Sequence, residues 1–471
     1  MIPVRKSTYV RRLSSLSYLQ VFFSTPRTAI IPTAEKDPQQ TEKFPQFLVL
    51  LGSSVRAMAQ SCRYLNIPVW AVDQFADSDC QAVANRITQK ELQDVTIDDF
   101  PQELRLAFLP GGGTENHATL AQQLAHSFSW CGLSGKALRA IRDPECLFPI
   151  ASQCGLKIPA TYFFSDSTKQ SDLKGLGLEN LQPNQWLWKS NDRGGGLGVS
   201  DIETWDVLKY LLTIQADGYL QQKIDAEAFG ATIILSQQGE ADWIGASRLL
   251  TAGNPLPNAL LSDQASKNGE HEHPLSSRRT DYPYLFGGAI GPVPLPQTVI
   301  DRLLSFAKEC YQHFGMKGWF QVDFMLNHQD DLWLLEINPR WSATMEIYER
   351  IQGHSLVSPH LRAWGIEAQE HDFPKPIAHP LILKYIVYAS ATFTWTTALS
   401  QKASDINRKA MDTSGWPVLA DLPQENTTFE TGMPILTILA SGYHLADIYQ
   451  FIQQMIQYLC IETALSHEPS R

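Results

Sequence analysis

Apolar residues along this chain follow two different rhythms. "FLVLLGSSVRAMAQSCRYLNIPVWAVD", residues 47–73, is an apolar run broken at Gly52, a helical stretch and a second buried run ending in Asp73. Strand, helix, strand in that order predicts a βαβ unit of a parallel, doubly wound sheet. "LRLAFLPGGGTENHATLAQQLAH" repeats the pattern, with a strand to Leu109, a glycine loop and a helix. Ligands bind at the carboxyl ends of strands in such sheets. The loops Gly52 to Arg56 and Gly111 to His117 are therefore expected to face one crevice. A tight strand-to-helix turn explains Gly111, Gly112 and Gly113 about as well as a ligand contact does. Neither loop is a G-x-G-x-x-G fingerprint or a Walker A loop.

Further along, the pattern turns to hairpins. "LFPIASQCGLKIPATYF" predicts a helix ended by Gly155 and a strand after Pro159. "NQWLWKSNDRGGGLGVSDI" predicts strand, glycine loop, strand, and residues 217–250 hold three more strands. Residues 253–284 are polar and loop-like. A helix capped near Gly315 precedes a hairpin, "GWFQVDFML" and "LWLLEINP" around the turn "NHQDD". From about residue 375, short strands and the helix "HLADIYQFIQQMIQYL" suggest a small α+β appendage. The fold class is thus α/β followed by α+β.

A length of 471 residues implies about two to four domains. Hydrophobic content of 44% and charged content of 18% describe a globular chain. The net charge of −11 disfavours nucleic acid on a broad basic surface and a polybasic membrane patch, but allows a local basic site for an anionic small molecule. No apolar run is long enough to span a bilayer. The seven cysteines, Cys62, Cys80, Cys131, Cys146, Cys154, Cys310 and Cys460, are scattered, with no C-x-x-C pair. That usage fits reduced thiols in a cytoplasmic-type compartment. The start is basic, with Arg5, Lys6, Arg11, Arg12 and Arg27 before the first acid, Glu35. A disordered tail over residues 1–44 is expected in preference to a targeting peptide, because "YLQVFF" is short for a signal core.

Three stretches carry chemistry. In the hairpin, Glu336, Asn338 and Arg340 alternate, so they begin on one face, and the turn can bring Asp323 beside them. Two carboxylates and an amide oxygen are hard ligands suited to Mg²⁺, and Arg340 offers a planar cationic fork for phosphate or carboxylate. Ordinary salt bridges on a solvated hairpin would explain any one of these residues better than all four. Lys189 precedes a glycine loop, Gly194, Gly195 and Gly196, of the kind whose N–H groups fold around phosphate oxygens. "YLQQKIDAE" is either a plain strand and turn or a hinge that pairs with an adenine edge. In the second case Gln221 meets the exocyclic amine and Glu227 the ribose hydroxyls. His271, Glu272 and His273 sit in a polar loop without a clear partner and are better explained as solvated than as a metal site. Arg278 and Arg279 on that loop either close over an anionic substrate or are surface charges.

The ordered set of lysine with glycine loop, hinge strand and Asp…Glu-x-Asn-x-Arg resembles the ATP-grasp superfamily over roughly residues 45–460. "LLGSSVRAMAQS", "WAVDQFADSD", "GGGTENH" and "LEINPRWSATME" resemble its group of predicted ATP-dependent carboligases related to biotin carboxylase. The resemblance implies a pre-ATP-grasp domain over 45–145, an ATP-grasp domain of two subdomains over 146–370 and a C-terminal α+β domain over 371–471. It implies ATP with Mg²⁺ or Mn²⁺, small-molecule carboxylate and amine substrates, a cytoplasmic enzyme and compatibility with a homodimer. Residue by residue, Lys189 and Gly194 to Gly196 match the phosphate-covering loop. Gln221, with the Gln222 and Ile224 backbones, matches the adenine hinge. Asp323, Glu336 and Asn338 match the metal ligands and Arg340 the catalytic arginine. Arg56, Glu115, Asn116 and Trp341 fall on the substrate side.

The implied reaction is an ADP-forming carboxylate–amine ligation through an acyl phosphate. The group's association with methanopterin- and methanofuran-type cofactors suggests one-carbon metabolism. Two departures stand out. Pro144 occupies the place of an ATP-contacting lysine, leaving Arg142, Arg139 or Lys136 as substitutes. Biotin carboxylase follows its arginine with an apolar residue and Gln-Val-Glu for bicarbonate. Here Trp341 is followed by Ser342, Ala343 and Thr344, with Glu346 out of register. The alternatives are a carboxylase using carboxyphosphate and a non-catalytic nucleotide-binding regulator.

Overall fold

The computed structural model describes residues 44–164, 182–191, 193–253 and 283–459. The basic start, the His271–His273 loop and Arg278 and Arg279 lie outside the described residues.

Phe47–Gly52 (β1), Val69–Asp73 (β2), Arg86–Gln89 (β3), Leu106–Pro110 (β4) and Ser129–Trp130 (β5) form a parallel sheet in the order β3-β2-β1-β4-β5. All of β2 and β4 is buried, as a sheet covered on both faces requires. The helices Arg56–Cys62 and Ala118–Ser127 follow β1 and β4. The expected crevice is closed at its base by backbone contacts. Ser53 N–H donates to the Gly112 carbonyl (2.8 Å) and Gly111 N–H to the Leu51 carbonyl (2.7 Å). A Cβ on Gly52 would stand 3.1 Å from the Gly111 Cα, so the two loops meet at close range where both are glycine. Asp73, at the end of β2, fixes the neighbouring loop by accepting the Val55 N–H at 2.6 Å.

Thr161–Phe163 (β6), Trp186–Ser190 (β7), Val199–Asp201 (β8) and Gly218–Gln222 (β9) form an antiparallel sheet in the order β6-β9-β7-β8. Its separate core packs Trp186, Trp188 and Leu220 against Leu208 and Leu212 of the helix Trp205–Thr213.

The largest sheet is antiparallel. It uses Glu227–Leu235 (β10), Ala241–Thr251 (β11), Phe286–Gly291 (β12), Gly318–Leu326 (β13), Leu332–Asn338 (β14) and Leu381–Tyr388 (β15). A small pair, Phe393–Thr394 (β16) and Thr428–Phe429 (β18), lies apart from it, while Leu419–Ala420 (β17) and Pro434–Gly442 (β19) join it. The order is β14-β13-β10-β11-β12-β15-β19-β17. Strands expected in a C-terminal appendage thus continue the sheet that carries the hairpin. Local periodicity marks a strand but not its partner, which is why the sequence did not show this. The β13–β14 turn is built by Asn327, whose Oδ1 accepts the N–H groups of Gln329 and Asp331 at 3.0 Å. Among the described residues, no helix is long and apolar enough to cross a membrane.

An ionic cluster joins these layers. Glu346, on the helix Met345–Gln352, accepts Arg56 Nη1 (2.6 Å) and Nη2 (3.0 Å), Arg350 Nη2 (3.0 Å) and Lys384 Nζ (2.8 Å). Arg56 also donates to Asp421 through Nε (2.9 Å), and Asp79 Oδ2 lies 3.7 Å from the same nitrogen. Burial opposes the charge on Glu346, but the surrounding cations hold its carboxyl well below the usual range. Three residues on, Glu349 has no such company, and burial pushes it up to about 8. Its Oε1 accepts Ser61 Oγ (2.6 Å) and the Leu356 N–H (2.7 Å).

The two neighbours should respond oppositely to neutralisation. Glu346→Gln leaves buried cations uncompensated and should lower unfolding free energy by about 3–5 kcal/mol. Glu349→Gln keeps an acceptor at a group already neutral at pH 7, and should stay within about 1 kcal/mol of the parent. The Glu346 contribution is present above the ordinary carboxylate pKa and lost as pH falls through its lowered value. Urea unfolding at pH 7 and at progressively lower pH should show the Glu346→Gln deficit shrink in acid.

Candidate active site

The hairpin residues converge as their spacing predicted. Asp323 is directly opposite Glu336, and Gln321 opposite Asn338, with a bulge just after Asp323. Asn338 Nδ2 donates to Asp323 Oδ2 (2.9 Å) and Glu336 Oε1 (3.2 Å). A positively polarised N–H group thus lies between two carboxylates, where a divalent cation would be stabilised. Burial and the Glu336 charge push Asp323 up from the usual carboxylate range. Glu336 is held down against the cost of burial by Arg142 and Lys189. The donor set fits Mg²⁺ or Mn²⁺ through Asp323 and Glu336. Asn338 would ligate through its oxygen only with its amide turned over, because that oxygen now accepts Arg340 Nη2 at 3.1 Å.

Arg340 is a junction. Its Nε (3.1 Å) and Nη2 (3.0 Å) donate to Glu115 Oε1, and its Nη1 donates to Ser342 Oγ (2.9 Å) and the Trp341 carbonyl (3.1 Å). Glu115 comes from the loop after β4. The Trp341 N–H donates to the Pro110 carbonyl at 2.9 Å, so the hairpin end is fastened to the end of β4. Arg340 and Arg142 hold Glu115 below the ordinary carboxylate range despite its burial.

The small sheet supplies the other wall. Lys189 Nζ donates to Gln221 Oε1 (3.1 Å), so β7 and β9 present these two side chains together. Gln221 is buried, while Gln222 is exposed at the strand end and Ile224 is half-buried beyond it. Glu227 opens β10 and accepts Arg248 Nη2 at 2.6 Å. In the glycine loop, Gly195 and Gly196 have φ of 63° and 82°. The Gly195 carbonyl accepts the Phe286 N–H (2.9 Å), and a Cβ on Gly196 would collide with the Tyr284 carbonyl. An added Cβ on Gly194 would be 3.6 Å from Glu115 Oε1 and 3.7 Å from Asn116 Nδ2. The loop therefore stands directly over the Glu115–Asn116 turn.

Two sequence candidates are committed to the interior. Arg56, expected on the substrate side, is fully buried in the Glu346 cluster. Trp341 is 4% exposed and packs edge-on against Trp319, with ring centroids 5.1 Å apart. Of the three substitutes for the missing lysine, Arg142 reaches the site. Its Nη1 donates to Glu336 Oε2 (3.1 Å) and to the Ile337 carbonyl (2.9 Å). Arg139 instead lies near Thr119 and Gln122, and Lys136 is exposed. Sequence reasoning missed Gln321, which donates to Asp323 Oδ1 (2.5 Å) while accepting Thr344 Oγ1 (2.5 Å). Its position two residues before Asp323, on the same strand face, was the available signal.

No family model matches the chain. D-alanine–D-alanine ligase of Bordetella pertussis is 26% identical over 217 residues, 45% of this chain and 58% of that protein. The chain thus spans less than two thirds of the curated relatives it matches first. Among solved structures, N5-carboxyaminoimidazole synthase from Aspergillus clavatus superimposes with a TM-score of 0.58 at 14% identity, covering 88% of this chain and 99% of that one. L-amino acid ligase from Bacillus licheniformis gives a TM-score of 0.58 at 12% identity, covering 88% and 97%.

The glycine loop offers a graded test of its geometry. Alanine at Gly196 meets both positive φ and a backbone clash, at Gly195 positive φ in open space, and at Gly194 neither. Stability losses should rank Gly196→Ala, then Gly195→Ala at about 1 kcal/mol, then Gly194→Ala near zero, in calorimetric or denaturant unfolding. Over most of its length the chain shares its fold with these synthase and ligase structures.

Proposed function

We propose that the protein is an ATP-dependent carboxylate–amine ligase forming an amide through an acyl phosphate. The observation that carries this reading is Arg340, held by Glu115 and Asn338 beside the Asp323–Glu336 pair. Asp323 and Glu336 would hold the metal, which supplies charge neutralisation at the transferring phosphoryl group. Lys189 and the glycine loop would hold the phosphates, with Gln221 and the Gln222–Ile224 backbone at the adenine edge and Glu227 at the ribose. A substrate carboxylate oxygen takes the terminal phosphoryl group, and the bond to the leaving ADP breaks. The amine nitrogen then attacks the acyl carbon, phosphate leaves with that oxygen, and the amine gives up one proton. Arg340 spreads the charge that develops on the acyl phosphate, as preorganised donors do.

Two of the similar proteins are named for joining amino acids, which supports amino-acid-like substrates. A place in one-carbon cofactor assembly rests on the sequence resemblance. The carboxylase alternative needs a free base near Arg340. After Arg340, Ser342 accepts its Nη1, and Glu346 is saturated by three cations. The paired carboxylates and converging arginines count against a non-catalytic regulator.

ADP formation, screened against amino acids and cofactor precursors with bicarbonate as a separate arm, tests the reading. Turnover that needs a carboxylic acid plus an amine supports it, and turnover that needs bicarbonate refutes it. Glu336→Gln should lower turnover by about 100-fold or more with an unchanged circular dichroism spectrum. Full activity in that variant would refute the metal assignment.

A further inference from the structure

The support of Arg340 does not account for all of Glu115. Both Nε and Nη2 of Arg340 converge on Oε1, at 3.1 and 3.0 Å. A fork-on-fork pair would use both carboxylate oxygens. Here Oε2 has no hydrogen-bond partner among the described residues, although it is shut off from the surface on a side chain 2% exposed. Buried polar atoms are nearly always paired, and an ionised oxygen without a donor is costly. Arg340 and Arg142 keep this carboxyl ionised in spite of its burial.

We propose that Glu115 Oε2 receives the α-ammonium of the carboxylate donor, which makes that donor an α-amino acid. This rests on the ligase reading above. Arg340 links Glu115 to the Asp323–Glu336 pair through Asn338, which sets the free oxygen beside the pair that the ligase reading gives to phosphoryl transfer. The glycine loop stands over the same carboxylate, placing the phosphoryl-transfer machinery next to it. The amine acceptor is the poorer candidate on physical grounds. It must be uncharged when it attacks, and a buried anion stabilises its protonated form instead. The carboxylate donor keeps its ammonium throughout the reaction and suffers no such conflict.

The test uses the full chain with Mg·ATP and hydroxylamine as a trap for the acyl phosphate. Each amino acid is paired with its desamino analogue, such as alanine with propionate or glutamate with glutarate. The wild type should form hydroxamate from the amino acid with at least about tenfold higher kcat/KM, the worth of a charge-assisted hydrogen bond. In Glu115→Gln the amide oxygen can still accept from Arg340, while N–H₂ replaces the free oxygen and repels the ammonium. That variant should erase the preference, mainly by raising KM for the amino acid. Equal use of both analogues by the wild type would overturn the proposal, whatever the variant does. So would a Glu115→Gln enzyme that loses activity with both analogues in proportion, as a mere prop for Arg340 requires. An ammonium preference confined to the amine acceptor would also overturn it. Hydroxamate from no carboxylate at all in the wild type would refute the ligase reading itself, and the inference with it.

Discussion

Glu346 gathers cations from three places: Arg56 after β1, Arg350 on its own helix and Lys384 on β15. None of these groups could be buried singly, because an isolated charge in the interior costs several kcal/mol. Together they are stable only when the parallel sheet, the hairpin's following helix and the C-terminal strands are all in place. The cluster therefore couples folding of these layers more than it adds net stability. It also fixes the end of the hairpin indirectly. The helix Met345–Gln352 starts a few residues after Arg340, so the position of Glu346 constrains where the arginine can stand.

The candidate site follows the same logic of opposed charges, with fewer donors on each carboxylate. Lys189, Arg142 and Arg340 face Asp323, Glu336 and Glu115. In the Glu346 cluster the carboxylate is saturated with donors. At the hairpin, an amide N–H stands where two carboxylates would favour a metal ion. One cluster surrounds its carboxylate with cations, and the other shares one amide between two carboxylates.

Much of this was legible from local pattern. Period-two spacing put Glu336, Asn338 and Arg340 together, and the hairpin turn brought Asp323 opposite Glu336. The βαβ run and the glycine loop were equally local signals. What remained hidden was long-range. Arg142 and Glu336 are 194 residues apart, and Arg56 and Glu346 are 290 apart. No periodicity records such pairs. Arg56 looked like a substrate group because it follows a strand-end loop, and only its partners show it to be structural. Trp341 looked like a specificity residue for being bulky beside Arg340, yet it fills the core against Trp319.

The backbone bond from Trp341 to Pro110 ties two distant parts of the chain. It stitches the β13–β14 hairpin to the rim of the parallel sheet one residue beyond Arg340. A shift in the register of β4 would be passed to the arginine without any change near the chemistry. The N-terminal layer is thus a gauge that sets the reach of an arginine it does not itself carry. A graft of the hairpin half onto a foreign N-terminal layer would inherit the paired carboxylates but not the arginine's alignment.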